Sequence, residues 1–331
     1  MTPIHLIRNV VAGLAGGLLL ATAPAFAVVA PPPAFSSLVV LGDSLSDSGR
    51  LYAMTGNTYP PAPYFQGRFS DGPVAVEALA SGLGLSGAQF NNLAIAGART
   101  GLGGSADPNI GQATGMLTQL ATFQTSLGAG QADPNALYYV WGGANDMRDA
   151  FAAFGNGVPG AIGGGMAAAI GNLTNIVTTL HGLGATKFFL PNLPDLGLTP
   201  EARSVGLIAP GLTFSSVATA ASEAFNQQLA LAYGSLAAQW SDEQFYFYNA
   251  MTGQRAITNG APGNGFTNVD TACIGTAGCA TALYFDSIHP TAAAHRVLGS
   301  EMLAAVPEPQ AMLLMAVGLL GLLAATRRRQ A

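Results

Sequence analysis

Four well-separated stretches of the 331-residue chain hold residue types that together could transfer an acyl group. The first is Gly42-Asp43-Ser44-Leu45-Ser46-Asp47-Ser48-Gly49, just after a short apolar run. A serine past a strand and beside glycine can present its hydroxyl at a sheet edge, although Ser and Asp at such places also cap helices. The stretch is not a G-x-S-x-G elbow, because Ser46 stands where the second glycine would be. A serine hydroxyl is a weak nucleophile until a base takes its proton. The second stretch, Tyr284-Phe285-Asp286-Ser287-Ile288-His289-Pro290, offers that base in His289. The following proline disfavours helical geometry there. Asp286, three residues earlier, can turn back, accept a bond from the ring and fix its tautomer. The same pair could simply hold a turn. Of the other histidines beyond the N-terminal segment, His181 reads as a helix C-terminal capping residue. His295, within the last helical stretch, reads as packed or solvent-facing. Asp286, His289 and His295 lack a recognisable metal-ligand spacing.

Acyl transfer also requires donors for the oxyanion. Gly97, in Asn92-Leu93-Ala94-Ile95-Ala96-Gly97-Ala98, can offer a backbone N–H that a ligand approaches closely. Asn145, in Trp141-Gly142-Gly143-Ala144-Asn145-Asp146, can offer a side-chain amide. Either residue could equally be turn punctuation.

All these candidates follow short apolar runs or lie in loops, and the runs define the elements that must position them. Residues 37–41, 92–96, 137–141, 187–190 and 245–248 are β-branched or aromatic without strict alternation, which suits strands buried on both faces of a parallel sheet. Helices are expected at 73–81, 116–127, 170–183, 214–240 and 291–305. The glycine-rich stretch 155–171 reads as a loop feeding a small-residue helix. No internal repeat is visible. Strands alternating with helices predict one α/β domain, in which ligands bind beyond the carboxyl ends of the strands.

The two ends have a different character. Residues 1–27 begin with His5 and Arg8, continue through an apolar stretch and end in Ala25-Phe26-Ala27, the layout of a secretory signal peptide. A transmembrane anchor is the alternative, for which the apolar run is short. Residues 28–35, with Pro31-Pro32-Pro33, read as a stiff linker. At the other end, Val306-Pro307-Glu308-Pro309 precedes an apolar run over 311–325 and then Arg327, Arg328 and Arg329. That run is marginal for spanning a bilayer, which takes about 20 residues. Between these ends, residues 28–306 contain eight Lys and Arg against sixteen Asp and Glu, a net charge of −8 with Lys187 the sole lysine. Such a surface argues against nucleic-acid binding and against docking by charge on anionic lipid. Cys273 and Cys279 are expected to form a disulfide once exported; a zinc site would need more ligands than lie between them.

Four of these segments, in order, resemble the sequence blocks of GDSL (SGNH) hydrolases: GDSLSDSG, NLAIAGA, GGAND and FDSIHP. The segments Gly67-Arg68-Phe69-Ser70-Asp71-Gly72 and Asn192-Leu193-Pro194-Asp195-Leu196-Gly197 resemble the plant-type and secreted bacterial lipase branch, with Asp71 standing where many relatives have asparagine. The resemblance covers about residues 37–303 and so places a hydrolase domain at 36–305. It implies a flavodoxin-like three-layer α/β/α sandwich with a parallel sheet of about five strands. It also implies Ser44 as nucleophile, Asp286 and His289 as its partners, and Ser44, Gly97 and Asn145 as the oxyanion hole, with neither metal nor organic cofactor. The tail at 306–331 resembles a PEP-CTERM sorting signal of Gram-negative bacteria. This implies export to the cell envelope, outer surface or medium, handling by signal peptidase and an exosortase-type enzyme, and transient inner-membrane anchoring by the C-terminal helix. A plain anchor is the alternative. The expected function is an exported serine esterase or lipase acting on lipid acyl esters or acetylated sugars through an acyl-enzyme. The rival is a non-catalytic envelope binding or adhesion protein on the same fold. Tyr52, Tyr59, Tyr64 and Phe65 are expected either to line an acyl or sugar pocket or to anchor a loop.

Overall fold

The computed structural model describes residues 35–260 and 264–306. The expected signal peptide 1–27, nearly all of the expected linker and the tail from 307 onward, including the apolar run 311–325, lie outside the described residues. Among the described residues, no helix is long and apolar enough to cross a membrane.

In chain order the strands are β1 (Leu38–Gly42), β2 (Phe90–Asn92), β3 (Leu137–Trp141), β4 (Lys187–Pro191), β5 (Leu207–Ala209), β6 (Leu212–Thr213), β7 (Gln244–Tyr248), β8 (Asn268–Ala272) and β9 (Ala282–Tyr284). The α-helices are α1 (Arg50–Met54), α2 (Ala75–Gly82), α3 (Asp107–Ile110), α4 (Met116–Leu127), α5 (Ala144–Gly155), α6 (Ala161–Gly182), α7 (Pro200–Val205), α8 (Phe214–Gln239), α9 (Ala250–Asn259) and α10 (Ala292–Ala304).

Five strands form the central sheet in the order β2-β1-β3-β4-β7, and every pairing in it is parallel. The unbroken apolar runs have the expected cause: successive residues feed opposite layers. Val39, Leu41, Tyr138, Val140, Phe188 and Leu190 pack with residues of α4, α5, α6 and α8. Leu38, Val40, Leu137, Tyr139, Trp141 and Phe189 pack with residues of α2, α9 and α10. Each such side chain contributes roughly 1.5–3 kcal/mol when fully buried, so a strand that feeds both layers holds the sandwich from the middle. The α/β/α architecture and the five-strand parallel sheet agree with expectation.

The boundaries differ in instructive places. The second strand ends at Asn92 instead of running through 92–96. Leu93 and Ile95 still donate to Val40 and Gly42 carbonyls at 2.9 and 3.2 Å. Side chains take the alternate N–H groups, which face away from β1: Asn92 Oδ1 accepts from Ala94 (3.0 Å) and Asp47 Oδ2 from Ala96 (2.8 Å). Helix α6 starts at Ala161, nine residues before the expected start at 170, and takes in Gly163, Gly164 and Gly165. A methyl group on Gly165 would lie 2.7 Å from Ala150 Cβ. Close packing on α5 therefore offsets poor helix propensity there.

The small β8–β9 pairing leads into the loop holding Asp286 and His289. Cys273 and Cys279 are disulfide-bonded, with Cα atoms 5.2 Å apart. Cys273 and Ile274 donate backbone bonds to Phe285 O at 3.1 and 2.8 Å, so the bridged loop braces the residue before Asp286.

Candidate active site

Strand β1 lies between β2 and β3, so the loops leaving β1, β2 and β3 open at one place on the carboxyl edge of the sheet. In open α/β sheets this is where ligands bind. Ser44 follows β1, Gly97 lies in the loop after β2, and Asn145 lies in the first turn of α5, just after β3.

The turn carrying Ser44 is fixed from several sides. Gln119 of α4, itself buried, accepts from Gly42 N–H and donates to Gly42 O, both at 2.9 Å. Ser46 and Asp47 N–H donate to Asp43 O at 3.0 and 2.9 Å. The Asp43 carboxylate accepts from Leu45 N–H at 3.0 Å, and burial pushes its pKa up to about 6. Asp47 collects four backbone donors: Gly49 (2.8 Å), Arg50 (2.6 Å), Leu51 (3.2 Å) and Ala96 (2.8 Å). Burial raises its pKa and these bonds oppose the rise. One carboxylate thus ties the start of α1 to the segment that delivers Gly97.

The Asp286–His289 loop arrives from the far end of the chain. His289 Nε2 is 2.9 Å from Ser44 Oγ, and Nδ1 is 2.7 Å from Asp286 Oδ2. Asp286 Oδ1 accepts the backbone N–H groups of Ile288 (2.9 Å) and His289 (2.7 Å). Burial alone would raise the Asp286 pKa, but the ring and these donors outweigh it and bring it down to about 2. An ionised carboxylate can only accept. With the imidazole neutral, Nδ1 carries the proton toward Asp286 and Nε2 is left to accept from the Ser44 hydroxyl. Proline at 290 keeps the loop out of α10, which starts only at Ala292, where Asp71 Oδ1 accepts the helix's first N–H at 2.6 Å.

Gly97 adopts φ +79°. That conformation disfavours any side chain. Among the described residues, no hydrogen bond engages the N–H of Ser44 or of Gly97. Asn145 Nδ2 donates to Ala98 O at 2.9 Å, which leaves the second of its two N–H groups to offer. Asp146, next along α5, accepts from Thr100 N–H (2.9 Å) and Thr100 Oγ1 (2.7 Å), fastening that helix start to the Gly97 loop. The structure therefore brings Ser44, Gly97, Asn145, Asp286 and His289 to one edge.

The other histidines lie elsewhere. His181 is in the last turn of α6, but its ring stacks on Trp240 (centroids 3.9 Å apart) and its Nε2 meets Glu243 at 3.3 Å, so these contacts replace the expected cap. His295 is packed: Nδ1 accepts from Ala75 N–H at 3.2 Å, and burial pushes its pKa down to about 3. Among the described residues, no three His, Cys, Asp or Glu side chains converge as a metal-ligand set.

Residue pattern alone misses three contributors. Tyr64 Oη donates to Asp286 Oδ2 at 2.8 Å, and Phe69 packs on the His289 ring with centroids 5.0 Å apart. The sequence points to Tyr64 only as pocket lining or loop anchor; its carboxylate partner lies 222 residues away and has no local signal. Gln119 is more legible, as a polar residue on the helix face that buries Met116, Leu120 and Phe123.

Two cavities meet at Ser44, Asn145 and His289. The larger, about 840 Å³, runs between α5, the β5–β6 hairpin and the start of α8, with Phe151, Leu196, Ile208, Leu212, Phe214 and Ile288 among its walls. The smaller, about 260 Å³, is bounded by Tyr59, Tyr64, Gly97, Ser105, Asn109 and Asp286. Beside the larger one, Arg148 and Glu201 pair through two hydrogen bonds of 2.9 and 2.6 Å.

An α/β fold with a serine, a histidine and an aspartate in hydrogen-bonded series at the switch of its sheet has the form of a serine hydrolase. Residues 38–302 match the GDSL-like Lipase/Acylhydrolase family, and residues 305–329 match the PEP-CTERM protein-sorting motif. The chain belongs to that lipase/acylhydrolase family and carries that sorting motif. It is 35% identical over 182 residues to a phosphatidylcholine-sterol acyltransferase of Aeromonas hydrophila, covering 52% of this chain and 48% of the relative. It is 30% identical over 346 residues to a Pseudomonas putida protein described as an uncharacterized protein in the trpE-trpG intergenic region, covering 90% of this chain and 52% of that one. The chain thus spans about half the length of these curated relatives. Among solved structures, a lipolytic G-D-S-L family member from Veillonella parvula superposes with a TM-score of 0.44 at 12% identity, over 81% of this chain and 96% of that one.

Proposed function

We propose that the protein is an exported serine esterase that cleaves lipid acyl esters through an acyl-enzyme on Ser44. The observation that carries this reading is His289, whose ring lies 2.9 Å from the Ser44 hydroxyl on one side and 2.7 Å from the Asp286 carboxylate on the other. In this mechanism His289 Nε2 takes the Ser44 proton as Oγ bonds to the ester carbonyl carbon. The carbonyl π-electron pair moves to oxygen, which the N–H groups of Ser44, Gly97 and Asn145 Nδ2 receive. The ring then returns the proton to the departing alcohol as the C–O bond breaks. Water repeats the sequence, releasing the acid and restoring the serine.

The preference for lipid over acetylated sugar rests on the larger cavity. An acetyl group needs little of its volume of about 840 Å³. Apolar walls of that extent suit a hydrocarbon chain. The name of the Aeromonas hydrophila relative, a phosphatidylcholine-sterol acyltransferase, points to the same chemical class. The smaller cavity is polar enough to take the alcohol side. The sorting motif supports export and processing by an exosortase-type enzyme, with Cys273–Cys279 suited to an oxidising compartment.

The test is a series of p-nitrophenyl esters from acetate to decanoate, with fluorophosphonate labelling alongside. The expected result is kcat/KM rising with chain length and labelling lost in Ser44→Ala. Activity that survives Ser44→Ala would refute the mechanism, and a strict acetate preference would refute the lipid assignment. A chain that neither hydrolyses any ester nor takes the label would be the non-catalytic alternative.

A further inference from the structure

Six of the large apolar side chains left exposed by the fold come from two short segments: Phe154 and Val158 at the end of α5, and Val205, Leu207, Ile208 and Leu212 in and beside the β5–β6 hairpin. Their exposures run from 39% for Ile208 to 68% for Leu207. The segments are joined beneath by Phe151 and Phe214, whose rings meet edge to face at 5.4 Å. Phe154, Val205, Ile208 and Leu212 also wall the larger cavity, so the exposed apolar surface continues into the space that ends at Ser44. Residues 150–186 and 204–222 contain no Asp, Glu, Lys or Arg. The nearby cations are already engaged, Arg148 with Glu201 and Arg203 with Asp270.

We infer that this rim seats the protein on the surface of a neutral or zwitterionic lipid aggregate, with the β5–β6 hairpin inserted, so that an acyl chain passes from the lipid into the larger cavity without crossing water. Contiguous exposed apolar surface marks an interaction site. Continuity with an apolar channel selects the occupant, because a protein lying flat on the rim would close the mouth, whereas lipid supplies what the channel holds. The lack of free cations at the rim and the net charge of −8 over residues 28–306 mean that apolar burial, not attraction to anionic headgroups, holds the contact. The direction of chain entry rests on the esterase reading; the docking does not.

The test therefore reads docking and catalysis separately. In the full chain carrying Ser44→Ala, a single cysteine is placed at Leu207→Cys and labelled with an environment-sensitive fluorophore; both natural cysteines are bonded. The control is Leu231→Cys, exposed on α8 far along that helix from the Phe214 end. At the usual rise per helical residue the separation is roughly 26 Å. On adding phosphatidylcholine vesicles, the label at 207 should shift to the blue and brighten, the label at 231 should not, and anionic lipid should add nothing. An unshifted label at 207 overturns the inference, as does a shift that depends on protein concentration without vesicles, the signature of a second copy covering the rim. In the Ser44 protein, Val158→Gln with Leu207→Gln, neither of which walls the cavity, should leave p-nitrophenyl acetate turnover intact. Turnover of vesicle phosphatidylcholine should fall about tenfold or more. An equal fall on both substrates also overturns the inference. Failure of the wild-type chain to hydrolyse any ester would count against the esterase reading while leaving the fluorescence result to judge the docking.

Discussion

Tyr64 Oη and His289 Nδ1 converge on the same oxygen of Asp286, at 2.8 and 2.7 Å, while the other oxygen is filled by two backbone N–H groups. The carboxylate that orients the ring is therefore itself held from a loop more than two hundred residues upstream. Charge-assisted hydrogen bonds of this kind contribute about 1.5–3 kcal/mol. Tyr64→Phe keeps the ring contacts to Phe69 and Phe285 but removes the bond. The expected outcome is kcat lower by roughly tenfold with KM little changed, measured by steady-state ester hydrolysis. Unaltered kcat would reduce Tyr64 to a packing residue.

Asn145→Ala removes one of the three candidate donors to the oxyanion. On the scale of about 2.7–4 kcal/mol per donor, turnover should drop by roughly 100- to 1000-fold. The Ala98 carbonyl also loses its partner, so a modest fall in Tm is expected. Fluorophosphonate labelling of Ser44 should still occur, but slowly. A rate within a factor of about two of wild type would take Asn145 out of the site.

The acid side of the stability profile should show two opposed slopes. Asp286 has its folded-state pKa depressed to about 2, so the stability it contributes is complete above its unfolded pKa of about 3.9 and is lost as pH falls from there through about 2. Asp43 has its folded-state pKa raised to about 6, so its contribution is complete below about 3.9 and is lost as pH rises through about 6. His295, with its folded-state pKa lowered to about 3, loses stability as pH falls from its unfolded value of about 6.5 and opposes the Asp43 gain, so Asp43 is read from the difference between wild type and Asp43→Asn. In thermal melts that difference should move in favour of wild type as pH is lowered from about 7 toward about 4 and level off below that, with the acid fall kept in both. A difference that stays flat between about pH 4 and 7 would refute the assignment to Asp43.

Gln119→Leu fits the apolar face of α4 but leaves the buried N–H of Gly42 without its Gln119 partner, while Gly42 O keeps only the Ile95 N–H at 3.2 Å. At about 1–3 kcal/mol for a buried group left unpaired, the variant should lose stability of that order in denaturant unfolding. Because Gly42 precedes the serine by two residues, activity should fall further than the folded fraction alone explains. Full specific activity in the folded fraction would show that the turn keeps its geometry without Gln119.

Much of this was legible in the chain because the relevant signals are local. The runs beginning at Leu38, Leu137 and Lys187 bury both faces of their strands, and Met116–Leu127 has helical spacing with glycine after it. The five candidate site residues could be picked out because each follows an apolar run or stands before a proline. What stayed hidden depends on tertiary partners. Gly165 lies in α6 against Ala150, where a small residue is needed, which no propensity reveals. Asp47, far upstream, takes the Ala96 N–H, a pairing with no local signal. The cavity-walling hairpin around Gly211 is short, and its role depends on α5 lying opposite.

The four N–H groups gathered by Asp47 have a consequence for how such a molecule can change over time. They lock the turn bearing the serine hydroxyl to the strap bearing Gly97, so the proposed attacking atom and the proposed charge-receiving N–H behave as one solid piece whose geometry is set when the chain folds. The walls at 205–214 are not part of that piece. Substitutions there can retune which chains are accepted without disturbing the reaction itself, whereas a change at position 47 would be felt by every substrate alike.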